Sequence, residues 1–124
     1  MNVRHFRAFL LLSLLMTTVL AAQTPPPPPL TPVESKQVCM INEQYFKSDQ
    51  IPVEIDGKIY YGCCDMCMER LATDAASRVA TDPVSGKEVD KAKAVIGAAE
   101  NGKIAYFESE KNLETYNKRA AKKQ

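Results

Sequence analysis

The chain has 124 residues, 45% of them hydrophobic, with 16 Lys and Arg against 15 Asp and Glu. So even a balance leaves no concentrated basic face, which excludes the electrostatic footprint expected of a partner for nucleic acid or an anionic membrane. No phosphate-cradling glycine loop is present and no carboxylate pair stands apart from ordinary surface charge, so the expectation is a protein without catalysis of its own.

In chain order, Arg4, His5 and Arg7 precede an apolar run from Ala8 to Leu20 that exits on Ala21 and Ala22. This is the layout of a cleaved secretory signal over residues 1–22, and a run of about 13 apolar residues is short of the roughly 20 a spanning helix needs. The expectation is export to the periplasm or beyond, with no membrane attachment after cleavage. Cleavage removes two basic residues and no acidic one, leaving a nearly neutral chain. It also removes His5, the single histidine. The mature chain therefore lacks the imidazole that mixed Cys/His zinc sites and Cys-His catalytic pairs require.

Residues 23–35 carry the run Pro25 to Pro29, with Pro32 beyond it. Proline is excluded from helix interiors and favours an extended, semi-rigid spacer, so this stretch reads as a linker.

From Val38 onward the chain repeats itself. Gly57-Lys58-Ile59-Tyr60-Tyr61 returns as Gly102-Lys103-Ile104-Ala105-Tyr106, an offset of 45 residues. Asp56 precedes the first triplet and Asn101 the second, and Asp-Gly or Asn-Gly between apolar stretches is a strong hairpin signal. One hairpin is expected from Val53–Asp56 with Lys58–Gly62, a second from Val95–Glu100 with Lys103–Glu108. A helix is expected after each, over Asp65–Ala80 and Ser109–Lys122. In the first, Cys67, Leu71, Ala75 and Val79 recur at four-residue spacing and are expected to form the buried stripe. Val38-Cys39 matches Val84-Ser85 with one residue of slippage. The chain therefore divides into copy one, residues 36–80, and copy two, residues 81–124. The fold class expected is α+β, two small units each made of a loop, a hairpin and a helix.

Copy one holds Cys39 and then GCCDMC at 62–67, which places Cys63 at a strand end and Cys67 in the first turn of a helix. In copy two the corresponding positions are Ser85, Glu108 and Asn112, so copy two has no thiolate site. Three thiolates without imidazole suit Cu(I) or Zn(II) rather than Mg or Ca. Cys64, Met40, Met66 and Met68 are candidates for a fourth ligand. Two other readings stand beside metal binding. Four cysteines in an exported chain can form structural disulfides, and Cys64-Asp65-Met66-Cys67 has the spacing of a redox pair.

The pattern Cys39-x23-Cys63-x3-Cys67, with Tyr60-Tyr61 before the second cysteine, resembles the TRASH domain, associated with trafficking, resistance and sensing of heavy metals. Asp82 to Asp90 and Tyr106 to Glu110 resemble the related YHS domain without its cysteines. The resemblance implies treble-clef-like units and one metal ion per chain held by Cys39, Cys63 and Cys67. The expected function is that of a carrier, buffer or sensor of Cu(I) or Zn(II), with a protein partner for metal transfer. The alternative is a non-catalytic interaction module stapled by a structural metal or a disulfide.

Overall fold

The computed structural model describes residues 24–124, so the reading of residues 1–22 as a signal lies outside the described residues. The fold is α+β, as expected. Among the described residues no helix is long and apolar enough to cross a membrane.

The segment expected as a linker is docked at its C-terminal end. Thr31–Val33 forms strand β1 and pairs antiparallel with a strand of copy two, Val95–Ala98. Leu30 is buried, and the Asn117 side chain grips its backbone, accepting from Leu30 N–H and donating to Leu30 C=O, both at 2.8 Å. The proline run is thus no free spacer at its C-terminal end. An apolar residue followed by β-competent Thr31 and Val33 finds an open sheet edge there.

Each copy repeats one order of elements: a short ribbon, a hairpin, a helix. The opening loop of copy one is a ribbon of β2 (Val38–Cys39) against β3 (Gln44–Tyr45). The hairpin of β4 (Ile51–Ile55) and β5 (Lys58–Gly62) follows, then α1 (Asp65–Thr73). In copy two the ribbon is β6 (Val79–Thr81), which starts two residues ahead of the boundary expected at 81, with β7 (Glu88–Asp90), the hairpin β8 (Val95–Ala98) with β9 (Ile104–Phe107), and the helix α2 (Glu110–Lys122). Strand β4 begins two residues earlier than expected, and Pro52 is tolerated because this two-stranded sheet leaves it an unpaired edge.

The two Gly-Lys-Ile hairpins turn differently. Asp56 and Gly57 both have positive φ, 52° and 71°, the two-residue turn that matches strand twist. In the second, only Gly102 is left-handed, at φ 82°, and Gly102 N–H donates to Ala99 C=O while Ala99 N–H donates to Lys103 C=O. That is a longer turn ending in a bulge, because Asn101 does not adopt the positive φ taken by Asp56.

The first helix is a correction. It was expected to run to Ala80 and ends at Thr73. The Asp74 carboxylate accepts from Ala76 N–H at 3.0 Å, offering the backbone a local alternative to the helix, and a tight turn over Ala75–Arg78 follows. Of the expected stripe only Cys67 and Leu71 are buried on α1. Ala75 is exposed, and Val79 belongs to β6.

The copies share a core. Val38, Met40, Tyr60 and Leu71 from copy one pack with Val89, Ile96 and Tyr106 from copy two. A second cluster of Leu30, Ala99, Phe107 and Leu113 lies within copy two and the docked segment, with Phe107 and Tyr116 edge to face at 5.7 Å. Polar contacts cross the same boundary. Lys58 and Tyr60 both donate to the Asp90 carboxylate, which in turn accepts from Ala92 N–H.

Candidate metal centre

Three elements of copy one end at one point. Cys39 closes β2, Cys63 follows β5, and Cys67 lies in the first turn of α1, as the sequence places them. Met40 N–H donates to Tyr61 C=O at 2.9 Å and ties the ribbon to β5 beside the cysteines. Gly62 lets the helix start close on the strand end. A Cβ at that position would stand 2.9 Å from Cys67 Cβ and 3.3 Å from Met68 Sδ.

The result is a cluster. Cys39 Sγ and Cys67 Sγ are 3.8 Å apart, Cys63 Sγ and Cys67 Sγ 3.7 Å, and all three sulfurs lie within 4.8 Å of one another. A metal–sulfur bond of about 2.3 Å requires neighbouring sulfurs about 3.8 Å apart in a tetrahedral site and about 4.0 Å apart in a trigonal one. The three cysteines are therefore close enough to hold a metal ion, and a soft donor set of this kind fits such an ion chemically. Cys39 and Cys67 are buried, Cys63 is half-buried, and Cys64 is exposed, so the cluster has one side toward solvent.

The thiols do not ionise alike. Burial works against ionisation of Cys39, but the N–H groups of Asn42 and Ile41 outweigh it and hold the thiol below its ordinary value. Burial, then the Cys39 and Cys67 sulfurs, push Cys63 up to about 12, and burial also raises Cys67. A bound cation would favour the thiolate form of all three at once.

Cys64 stands beside the cluster. It is the residue before α1, its sulfur 3.4 Å from Cys67 Sγ, and the N–H of Cys67 leads the contacts that lower its thiol pKa. The 45-residue offset maps it onto Ser109, the N-cap of α2, whose hydroxyl accepts from Asn112 N–H at 3.3 Å. Cys64 thus holds the N-cap position of α1, where, unlike Ser109, its side chain makes no capping hydrogen bond. Of the thioethers, Met40 is fully buried in the shared core, Met66 is 78% exposed, and Met68 lies half-buried against Gly62.

Asn42 is a site residue that the sequence reading missed. Its N–H donates to Cys39 Sγ at 3.4 Å and its side-chain amide to Cys63 Sγ at 3.2 Å. Its position three residues beyond Cys39 in a tight turn is the signal that could have found it.

Copy two holds a carboxylate at the matching convergence. Asp82, fully buried, follows β6. Its Oδ1 accepts from Val84 N–H at 2.7 Å and Ser85 N–H at 3.2 Å, and its Oδ2 accepts from Glu108 N–H at 2.8 Å and the Asn112 side-chain amide at 2.7 Å. Burial alone would raise this carboxyl, but Asn112, then the N–H groups of Glu108, Val84 and Ser85, hold it below the usual carboxylate range. Cys39 is likewise turned toward the N–H groups two and three residues on. The counterpart of Cys39 in space is therefore Asp82 rather than Ser85, while Glu108 and Asn112 match Cys63 and Cys67 as expected.

Comparison with known protein families, with curated proteins and with solved structures finds no match to this chain.

Proposed function

We propose that this protein is an exported carrier, buffer or sensor of Cu(I) or Zn(II), holding one ion per chain through Cys39, Cys63 and Cys67 and performing no catalysis of its own. The observation that carries the reading is the spacing of the three sulfurs, which meets the geometric requirement of a thiolate-bound ion. The similarity of the cysteine pattern to the TRASH domain and the export-type N-terminus support it. Three ligands with one face toward solvent suit an ion meant to be exchanged. Structural zinc almost always has four protein ligands. Among the described residues the mutually close group is Cys39, Cys63 and Cys67, with Cys64 beside it, its sulfur 3.4 Å from Cys67 Sγ.

The test is titration of the reduced mature chain with Cu(I) and with Zn(II) against a chromophoric chelator. One ion per chain is expected, with binding lost in Cys67→Ser. Failure of the reduced chain to take up either ion overturns the proposal, as does protein recovered from its native compartment with its cysteines paired and inert.

The second reading, an interaction module in which the ion is only a staple, is favoured by the burial of Cys39 and Cys67. Chelation separates the two. A carrier keeps its fold when the ion is withdrawn, and a stapled module unfolds.

A further inference from the structure

The loop that carries Cys39 and Asn42 does not support itself. Strands β2 and β3 pair over only two residues each. Between them Glu43 sits at φ 53°, the left-handed region that costs a non-glycine residue about 1 kcal/mol or more. Within copy one the Met40–Tyr61 bond holds its start, and three further fastenings reach it from copy two. Gly102 C=O accepts from Tyr45 N–H at 2.8 Å, and Asn101 C=O accepts from the Gln44 side chain at 3.1 Å. The third is Lys91. Only 5% exposed, it donates through Nζ to Met40 C=O at 2.7 Å and to Glu43 Oε1 at 3.0 Å, and its ammonium lies 5.3 Å from the centre of the Tyr106 ring.

We propose that the cysteine-free copy serves the metal centre of the other, and that Lys91 is a positioning residue that presets the Met40–Glu43 loop and so sets where Cys39 and Asn42 stand. The inference rests on the metal-binding reading above. Burying a lysine costs desolvation and side-chain entropy that an apolar residue in a shared core would not incur. Both hydrogen-bond partners of this buried cation lie in the ligand loop, within four residues of Cys39. The loop in turn aims Asn42 at two of the three sulfurs. Lys91 acts on the ligands through this chain of contacts, as outer partners of metal ligands do. The ring of Tyr106 completes the support from below. Its hydroxyl is buried without a hydrogen-bond partner, and burial, then the charges of Glu43 and Cys39, raise its pKa.

The experiment measures affinity and release rate of Zn(II) and Cu(I) on the full mature chain, by chelator competition well below the melting temperature, for the parent, Lys91→Met and Glu43→Ala. Lys91→Met is expected to bind about 10–100-fold more weakly, the range for outer partners of metal ligands, and to release the ion faster. Glu43→Ala, whose side chain is 54% exposed and tolerant of change, is expected to lose about 3–10-fold, with Glu43→Gln recovering part of that loss through the retained acceptor. A purely structural lysine would lower the melting temperature of the apo and loaded forms equally and leave affinity and release rate unmoved. Parent-like affinity in both variants overturns the inference. If Lys91→Met does not fold, parent-like affinity in Glu43→Ala alone overturns it. A parent chain that binds neither ion overturns the metal-binding reading together with this one, so the two failures are distinguishable.

Discussion

In copy one, a ribbon end, a strand end and the third residue of a helix converge on three sulfurs. In copy two, the matching elements converge on one carboxylate. Asp82 gathers N–H groups from its own turn and from the end of β9, together with the amide of Asn112, the third residue of α2. A cation drawing in anionic ligands and an anion drawing in N–H donors solve one problem with opposite charge. Both bring the ends of short elements together where too little apolar surface exists to do so. The difference is that four hydrogen bonds form with folding and stay, whereas an ion can be taken up and given away. Copy one, with its three cysteines, is thus the copy able to hold an ion, and copy two is closed by its own hydrogen bonds.

The comparison can be broken most sharply by restoring a site. Asp82→Cys, Glu108→Cys and Asn112→Cys together are expected to raise uptake from one ion per chain to two, whereas Ser85→Cys with the same two partners is not. Equal stoichiometry in both triples, measured by elemental analysis of the reduced protein, would return Ser85 to the position the repeat assigns it.

Next in size is the loss of the carboxylate. Asp82→Ala leaves four donors without their partner, and charge-assisted bonds contribute about 1.5–3 kcal/mol each before neighbours and water compensate. A net loss of about 3 kcal/mol in urea unfolding of the apo protein is expected. The same group gives copy two its acid sensitivity. Because the native carboxyl lies below its unfolded value, its stabilisation is complete above the unfolded pKa of about 3.9 and is lost as pH falls through the native value. Asp90, held low against burial chiefly by Lys58, acts in the same direction. Asp82→Asn should flatten the decline in stability below about pH 4, read from urea midpoints at successive pH values.

Gly62→Ala tests the close approach in copy one. The added methyl meets the backbone-proximal Cβ of Cys67 rather than a flexible tip. Overpacking of about 1–3 kcal/mol is expected, with metal affinity falling because Cys63 and Cys67 are pushed apart. The smallest effect is expected from Cys64→Ser. If Cys64 holds only a capping position like that of Ser109, serine should hold or raise apo stability by up to about 1 kcal/mol and leave affinity within a few-fold. A loss of binding comparable to that in Cys67→Ser would make Cys64 a ligand.

Much of this was legible in the sequence. The two turn dipeptides, the alternating apolar stretches and the cysteine spacing are short-range patterns, and they placed both hairpins, the start of both helices and the three clustered cysteines. Lys91 and Asp82 were not legible as site residues, because nothing beside them in the sequence shows which partners folding supplies, and Asn42 offered only its place three residues beyond Cys39. Each acquires its role from partners brought near by folding. Lys91 meets Met40 across 51 positions, and Asp82 meets Asn112 across 30. The end of α1 was misjudged for a related reason. Four-residue spacing continues through Ala75 and Val79, but the Asp74 carboxylate captures a backbone N–H, and Val79–Thr81 is claimed by β7.

By itself the sequence determined the repeat, the chemistry available to each copy and the residues able to bind a soft ion. These follow from residue type and spacing along one chain. Only the tertiary structure decided that the copies share a core, that a proline-rich segment ends as an edge strand, and that a carboxylate stands where a thiolate does in the other copy. Those outcomes depend on which buried donors and acceptors face one another across the fold, and a buried group left unpaired costs more than any local preference contributes.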